Sequence, residues 1–188
     1  MNLLPIDELN VLNGYLLSRY PSQKLEEEDE EDIIDEMLDL FMLAYARGVE
    51  SAKDELGVDK PPTSDDAIAA VNAEVAGKIW RERVGEYAVN GGTIYDIERI
   101  AETDMTRIYN TAKLDTVRVN GVEGSTFKRW ITMEDDRVRD THAYLDGMVV
   151  PYDADFWTYD GDHARAPGLF SKPENVINCR CVCELVRG

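Results

Sequence analysis

The chain has 188 residues, 44% of them apolar, and its 38 acidic and 20 basic side chains give a formal charge of −18. A chain of this length buries a core without needing disulfide or metal staples. No apolar run approaches the ~18 residues of a membrane span, and Asp7 and Glu8 with no basic region ahead of them do not read as a secretory signal, so a transmembrane segment is excluded and folding in a reducing cytoplasm is expected.

The charge is unevenly spread: residues 1–100 hold 23 acidic and 9 basic side chains, and residues 101–188 hold 15 and 11. Nucleic-acid affinity comes from Lys and Arg displacing counterions, so the first half is disfavoured as a direct DNA contact. Its acidity reads as solubility or as a docking surface for a basic partner.

Leu9, Leu12 and Leu16 have helical spacing up to about Arg19, where Pro21 breaks the pattern. The acidic run at 26–32 reads as a linker or a solvated helix start, where negative charge favours the positive end of the helix dipole. From Ile33 to about Leu56 the positions Ile34, Met37, Leu38, Phe41, Tyr45 and Ala52 predict a long amphipathic helix ending near Gly57. Thr63 and Asp66 have capping-box spacing and open a helix whose stripe would be Ile68, Val71, Val75 and Ile79, running to residues 90–92. Thr93 and Asp96 repeat that spacing and open another, buried at Ile97, Ala101, Met105, Ile108 and Ala112.

After Gly124 short β-prone pieces alternate with Asp-, Gly- and Pro-rich loops, and the stretch from about Asp153 to Asn178 reads as a loop packed by Phe156, Trp157, Tyr159 and Phe170. The fold class is therefore α+β: a helical N-terminal two thirds, then a small C-terminal domain with a short antiparallel sheet and long loops. The expected division is an acidic helical arm over 1–92 and a domain over 93–188.

All three cysteines, Cys179, Cys181 and Cys183, alternate in "NCRCVC". Extended backbone would put the sulfurs on one face with same-face Cα atoms about 6.6–6.8 Å apart, a poor geometry for disulfides. Thiolates sharing a zinc lie under about 4 Å from each other, so Cys179 and Cys181 share a metal only where the chain bends. Two further ligands would be needed, and the two histidines, His142 and His163, lie in the same C-terminal third. A zinc site, buried inert thiols and a reactive or redox role all stay open on these residues. Glu134, Asp135, Asp136, Asp140 and Asp146 surround His142. They read either as a divalent-metal or acid–base group or as helical ion pairs with Arg139 and a turn at Asp146–Gly147. No phosphate-binding loop, zinc-protease helix or nucleophile elbow is present.

The ordered set Trp130, Asp136 to Arg139, His142, Leu145-Asp146-Gly147 and Asn178-Cys179-Arg180-Cys181 resembles the Mu F-like minor head proteins of tailed bacteriophages, over roughly residues 95–186. The family commonly reads Arg-Thr-Glu in a helix where this chain has Glu102-Thr103-Asp104. The resemblance implies a minor capsid protein of the portal vertex, acting in head assembly and DNA packaging or delivery and non-enzymatic. Its expected partners are the portal or inner capsid protein and packaged DNA, with no membrane and no small-molecule substrate. Its expected location is the virion, with assembly in the host cytoplasm. It also implies a metal site, zinc by its donors, at His142, Cys179 and Cys181; His163, the other histidine of the same third, is the candidate fourth ligand, and Cys183, outside the family-like pattern, is expected as a buried apolar thiol. The alternatives are a zinc-stabilised interaction domain outside particles and a metal-dependent nuclease using His142 with Asp136, Asp140 or Asp146.

Overall fold

The computed structural model describes residues 6–26 and 29–188; residues 1–5, and Glu27 and Glu28 of the acidic run, lie outside the described residues. Five helices come first: α1 (Ile6–Arg19), α2 (Glu30–Leu56), α3 (Ser64–Val71), α4 (Trp80–Val89) and α5 (Ile94–Asn120). Strand β1 (Thr126–Ile131), α6 (Asp140–Ala143), β2 (Val149–Pro151), β3 (Phe156–Trp157), β4 (His163–Ala164), α7 (Pro173–Val176) and β5 (Val182–Arg187) follow. The architecture is α+β, as the alternation of apolar periods requires. Among the described residues no helix is long and apolar enough to cross a membrane.

Helices α1 and α2 bury their leucine and aromatic stripes and run antiparallel, tied by the ion pairs Glu8–Arg47 and Arg19–Asp32. Helix α2 stops where Gly57 takes a left-handed conformation (φ 62°) and its N–H donates to the Lys53 carbonyl. It crosses α5 closely at Gly48, where a Cβ would meet the Tyr109 carbonyl oxygen at 2.3 Å, so glycine is required there by the neighbour rather than by a turn. Phe41 meets the fully buried Trp80 edge-on, with centroids 5.0 Å apart.

The single helix expected from Thr63 to residue 90 is two helices. Asn72 ends α3, and residues 72–79 form a turn closed by Val75 and Lys78, with Ala76 and Gly77 at positive φ. Ile68 and Ile79 fit the period but do not define one buried stripe: Ile68 is 53% exposed, and Trp80 takes the core position. Two of the chain's capping boxes form as spaced, Thr63 with Asp66 and Thr93 with Asp96, each carboxylate accepting the threonine N–H.

Strand β1 is the centre of a three-stranded antiparallel sheet, ordered β2-β1-β5, in which Trp130 pairs with Cys183 and Ile131 with Val182. Strands β3 and β4 form a two-stranded hairpin, so the stretch expected as one long loop carries structure of its own. Phe156 and Phe170 are buried there, whereas Trp157 and Tyr159 are exposed. Helix α5 runs between the two parts: its apolar face meets α1 to α4, and it also packs against β5.

Candidate metal centre

His142 stands on α6, a single turn closed by the His142 and Ala143 N–H groups donating to the Arg139 carbonyl. Behind it, Asp146 accepts from the Thr132 N–H and hydroxyl at 2.8 and 2.9 Å, fixing the return of the chain into β2. The imidazole is buried between Trp130 and Phe170, with ring centroids 5.2 and 5.5 Å away.

Cys179 and Cys181 approach the same imidazole from the segment leading into β5. Asn178 adopts φ 58° and its N–H donates to the Thr103 hydroxyl, which bends the chain before the cysteines. Arg180 points the other way and forms a two-pronged pair with Asp135 at 2.7 and 2.8 Å, so the residues on either side of it turn inward. His142 Nδ1 lies 3.6 Å from Cys179 Sγ and 3.5 Å from Cys181 Sγ.

The three donors fit three of the four positions of a tetrahedral zinc site, and the fourth would fall to a ligand from outside these side chains. Zn–S of about 2.3 Å and Zn–N of about 2.0–2.1 Å at tetrahedral angles place sulfur and nitrogen about 3.6 Å apart, which is the separation found here. All three donor atoms lie within 4.8 Å of one another, and all three residues are buried. A void of about 10 Å³, near the minimum that holds one water, adjoins them and is lined also by Met133, Arg137, Arg139 and Arg180. His142 Nε2 is buried without a hydrogen-bond partner, so packing rather than the usual outer carboxylate holds the ring.

The thiols are electrostatically unequal. Cys179 is held well below the usual thiol range by a hydrogen bond from Cys181 and by His142, against the opposing effect of its burial. Cys181, as the donor to that thiolate, is pushed far up by the same bond and by burial. A cation bound between the two sulfurs would favour the ionised form of both.

One expected ligand, His163, stands elsewhere, and Cys183 lies apart from the donors, as expected. His163, expected as a fourth ligand, is on the exposed face of β4, where it stacks on Trp157 at 4.3 Å and its Nδ1 lies 2.8 Å from the Asp155 carboxylate. Sharing the C-terminal third in sequence did not bring it to the cysteines, because the β3–β4 hairpin turns its side chain outward. Cys183, in register with Trp130, packs in a separate apolar cluster with Ala52, Leu56, Val117 and Leu185, where burial pushes its thiol up to about 12. The carboxylates Asp136, Asp140 and Asp146 do not join the group of donors.

Three supporting residues escape a sequence reading: Thr103, Arg107 and Asn110, all on α5. Asn110 donates to the Pro167 and Cys181 carbonyls and accepts from the Cys183 N–H, pinning both sides of the β5 entry. Arg107 bonds the Ala70 and Val71 carbonyls and Asp104, and Gly168 (φ 82°) lies so close to it that a Cβ would sit 2.9 Å from its Cα. The signal was the spacing of Thr103, Arg107 and Asn110 by four and three, a polar stripe on one helix face.

The model for the Phage Mu protein F like proteins matches residues 77–184, more than half of the chain. The chain belongs to the Mu F-like family. All of the donors and all of the α5 residues that support them fall inside the matched range. Mu F-like chains are phage head-morphogenesis proteins, which associates this one with phage particles. Over 62 residues it is 39% identical to the NAD(+)–arginine ADP-ribosyltransferase EFV of Enterococcus faecalis. That stretch covers 32% of this chain and 12% of the relative, so the chain spans about an eighth of the relative's length. No solved structure matches.

Proposed function

We propose that this Mu F-like chain is a minor capsid protein at the portal vertex, acting without enzymatic activity in head assembly and in packaging or delivery of DNA. The family match over residues 77–184 carries the reading. In it, the acidic first hundred residues dock on the portal or inner capsid protein, and the C-terminal region, nearly balanced in charge, lies closer to the DNA. Zinc held by His142, Cys179 and Cys181 would cross-link α6 to the entry of β5, a structural role that short strands and one-turn helices need more than the helical part does. The enclosure of the three donors supports this role over catalysis, since His142 and Cys179 are each 2% exposed and leave a substrate no approach. Asp146, bound to Thr132, is already engaged as a brace.

Mass spectrometry of purified particles tests the placement: the chain is expected in intact heads at few copies, and recovery only from the particle-free lysate overturns it. Elemental analysis tests the metal, with about one zinc per chain expected and lost in the Cys179→Ser, Cys181→Ser double variant. Nuclease activity abolished by His142→Ala would favour the enzymatic alternative instead.

A further inference from the structure

Helices α1 and α2 line an open groove of about 200 Å³ with apolar Val11, Leu12, Leu40 and Leu43 and acidic Glu8, Glu36 and Asp39. Val11 is 72% exposed, an unusual position for a valine on a helix that buries its leucines. Glu8 is neutralised by Arg47, but Glu36 and Asp39 have no ionic partner among the described residues. The sequence around them is strongly acidic, with no basic residue between Lys24 and Arg47 and ten acidic ones.

These features narrow the occupant. The volume is below the ~300–1,000 Å³ of small-molecule pockets and suits one or two side chains of a larger ligand. Phosphate backbones and anionic lipid surfaces meet the same sign of charge as their own. A second copy of this chain brings the same carboxylates to the contact and is repelled. An amphipathic helix that lays apolar side chains into the groove and carries lysine or arginine beside them meets both the apolar and the acidic lining.

We infer that the α1–α2 groove is a docking site for a basic amphipathic helix of a partner protein, whose apolar residues enter between Val11, Leu12, Leu40 and Leu43 while its cations face Glu36 and Asp39. The inference goes beyond the portal-vertex reading and does not depend on it, since it is tested without particles.

The test uses the full chain and labelled synthetic helical peptides followed by fluorescence anisotropy. One peptide is built of Leu and Lys with Leu at i, i+3, i+4 and i+7, one has Glu in place of Lys, and one is a scrambled Leu/Lys sequence. The first is expected to bind more tightly than the scrambled peptide, and the Glu peptide not to bind. Glu36→Lys with Asp39→Lys should weaken binding about tenfold or more, whereas Asp54→Lys with Asp59→Lys, equal in charge but away from the groove, should change it less than about threefold. Val11→Ser should weaken it several-fold at unchanged circular dichroism. Equal losses in the two charge-reversed variants, no effect of Val11→Ser, scrambled and ordered peptides binding alike, or no binding of the Leu/Lys helix would each overturn the proposal.

Discussion

Around α1 to α4 the interior is apolar almost throughout, with Leu16, Ile33, Phe41, Trp80 and Ile97 nearly or wholly inaccessible. In the C-terminal region the interior is buried as deeply but contains Lys128, His142, Asp162 and two cysteines whose sulfurs face the same imidazole nitrogen. The first region rests on non-directional burial and should accept volume-conserving swaps. The second has little regular structure to bury, so its order comes from bonds with fixed partners: Asp162 alone accepts from the Ser171 and Lys172 N–H groups and the Asn175 amide. Directional bonds fail one at a time and leave unpaired groups behind. The difference teaches where single substitutions will be costly, and helix α5, which serves both regions, is where the two kinds of stabilisation meet.

The largest effect should come from Asp104→Ala. Asp104 is fully buried between Arg83, at 2.6 Å, and Arg107, at 3.0 Å, and Arg107 is itself only 2% exposed. Removing the carboxylate leaves a buried guanidinium with only the two α3 carbonyls, a loss expected at about 3–5 kcal/mol in urea unfolding. A loss below about 1 kcal/mol would show that the carbonyl bonds suffice and that the seam is as forgiving as the apolar core.

Asn110→Leu asks the same of the C-terminal side. It keeps the γ-branched shape, with a somewhat larger side chain, but strips the Cys181 carbonyl and Cys183 N–H of their partner, with an expected loss of about 2–3 kcal/mol. It should also weaken metal retention, because the Cys181 backbone is no longer held. Unchanged stability with unchanged metal content would place the bracing of the site elsewhere.

The apolar face of α5 was legible in the sequence because Ile97, Ala101, Met105, Ile108 and Ala112 keep a helical period, and all are fully buried. The opposite face was not. Thr103, Arg107 and Asn110 have the spacing of a solvent-facing stripe, and only the fold reveals that loops from residues 167 to 183 cover it. The break between α3 and α4 was hidden for a related reason: Val75 and Ile79 continue a period across a turn that periodicity alone does not register. Cys179 and Cys181 could be singled out by their alternation, but their convergence on His142 needs the bend at Asn178 and the outward anchoring of Arg180. His163 was drawn into the same group by scarcity of histidine, which says nothing about direction.

A smaller effect separates the regions by pH. Burial lowers the Lys128 ammonium from its ordinary 10.5 to about 8, while its Nζ donates to the Ala154 and Arg165 carbonyls. Below pH 8 the folded chain carries the full penalty of a buried charge. Between about 8 and 10.5 the folded state gives up the proton while the unfolded chain keeps it, so the Lys128 contribution improves as pH rises, by on the order of 1–3 kcal/mol. The stability of the wild type relative to Lys128→Met, compared by urea unfolding at pH 7 and 9.5, should therefore rise with pH. A flat difference would mean that water reaches this part of the interior.

The smallest expected effect is that of His163→Ala, and it bears most directly on the candidate metal centre. His163 is half exposed, its link to Asp155 is a surface contact, and its stacking partner Trp157 is itself 57% exposed. Such contacts are worth about 0–1 kcal/mol, so unfolding should move by less than about 0.5 kcal/mol and zinc content should equal that of the wild type. His142→Ala, by contrast, removes the one nitrogen that faces both sulfurs and should release the metal. If His163→Ala also released it, the β3–β4 hairpin would have to turn over when metal binds, carrying His163 from Trp157 to the cysteines. Tryptophan emission in a Trp130→Phe background, which removes the indole beside His142, would report that movement because Trp157 would lose the ring stacked on it, and unchanged emission there on adding zinc would confine the site to His142, Cys179 and Cys181.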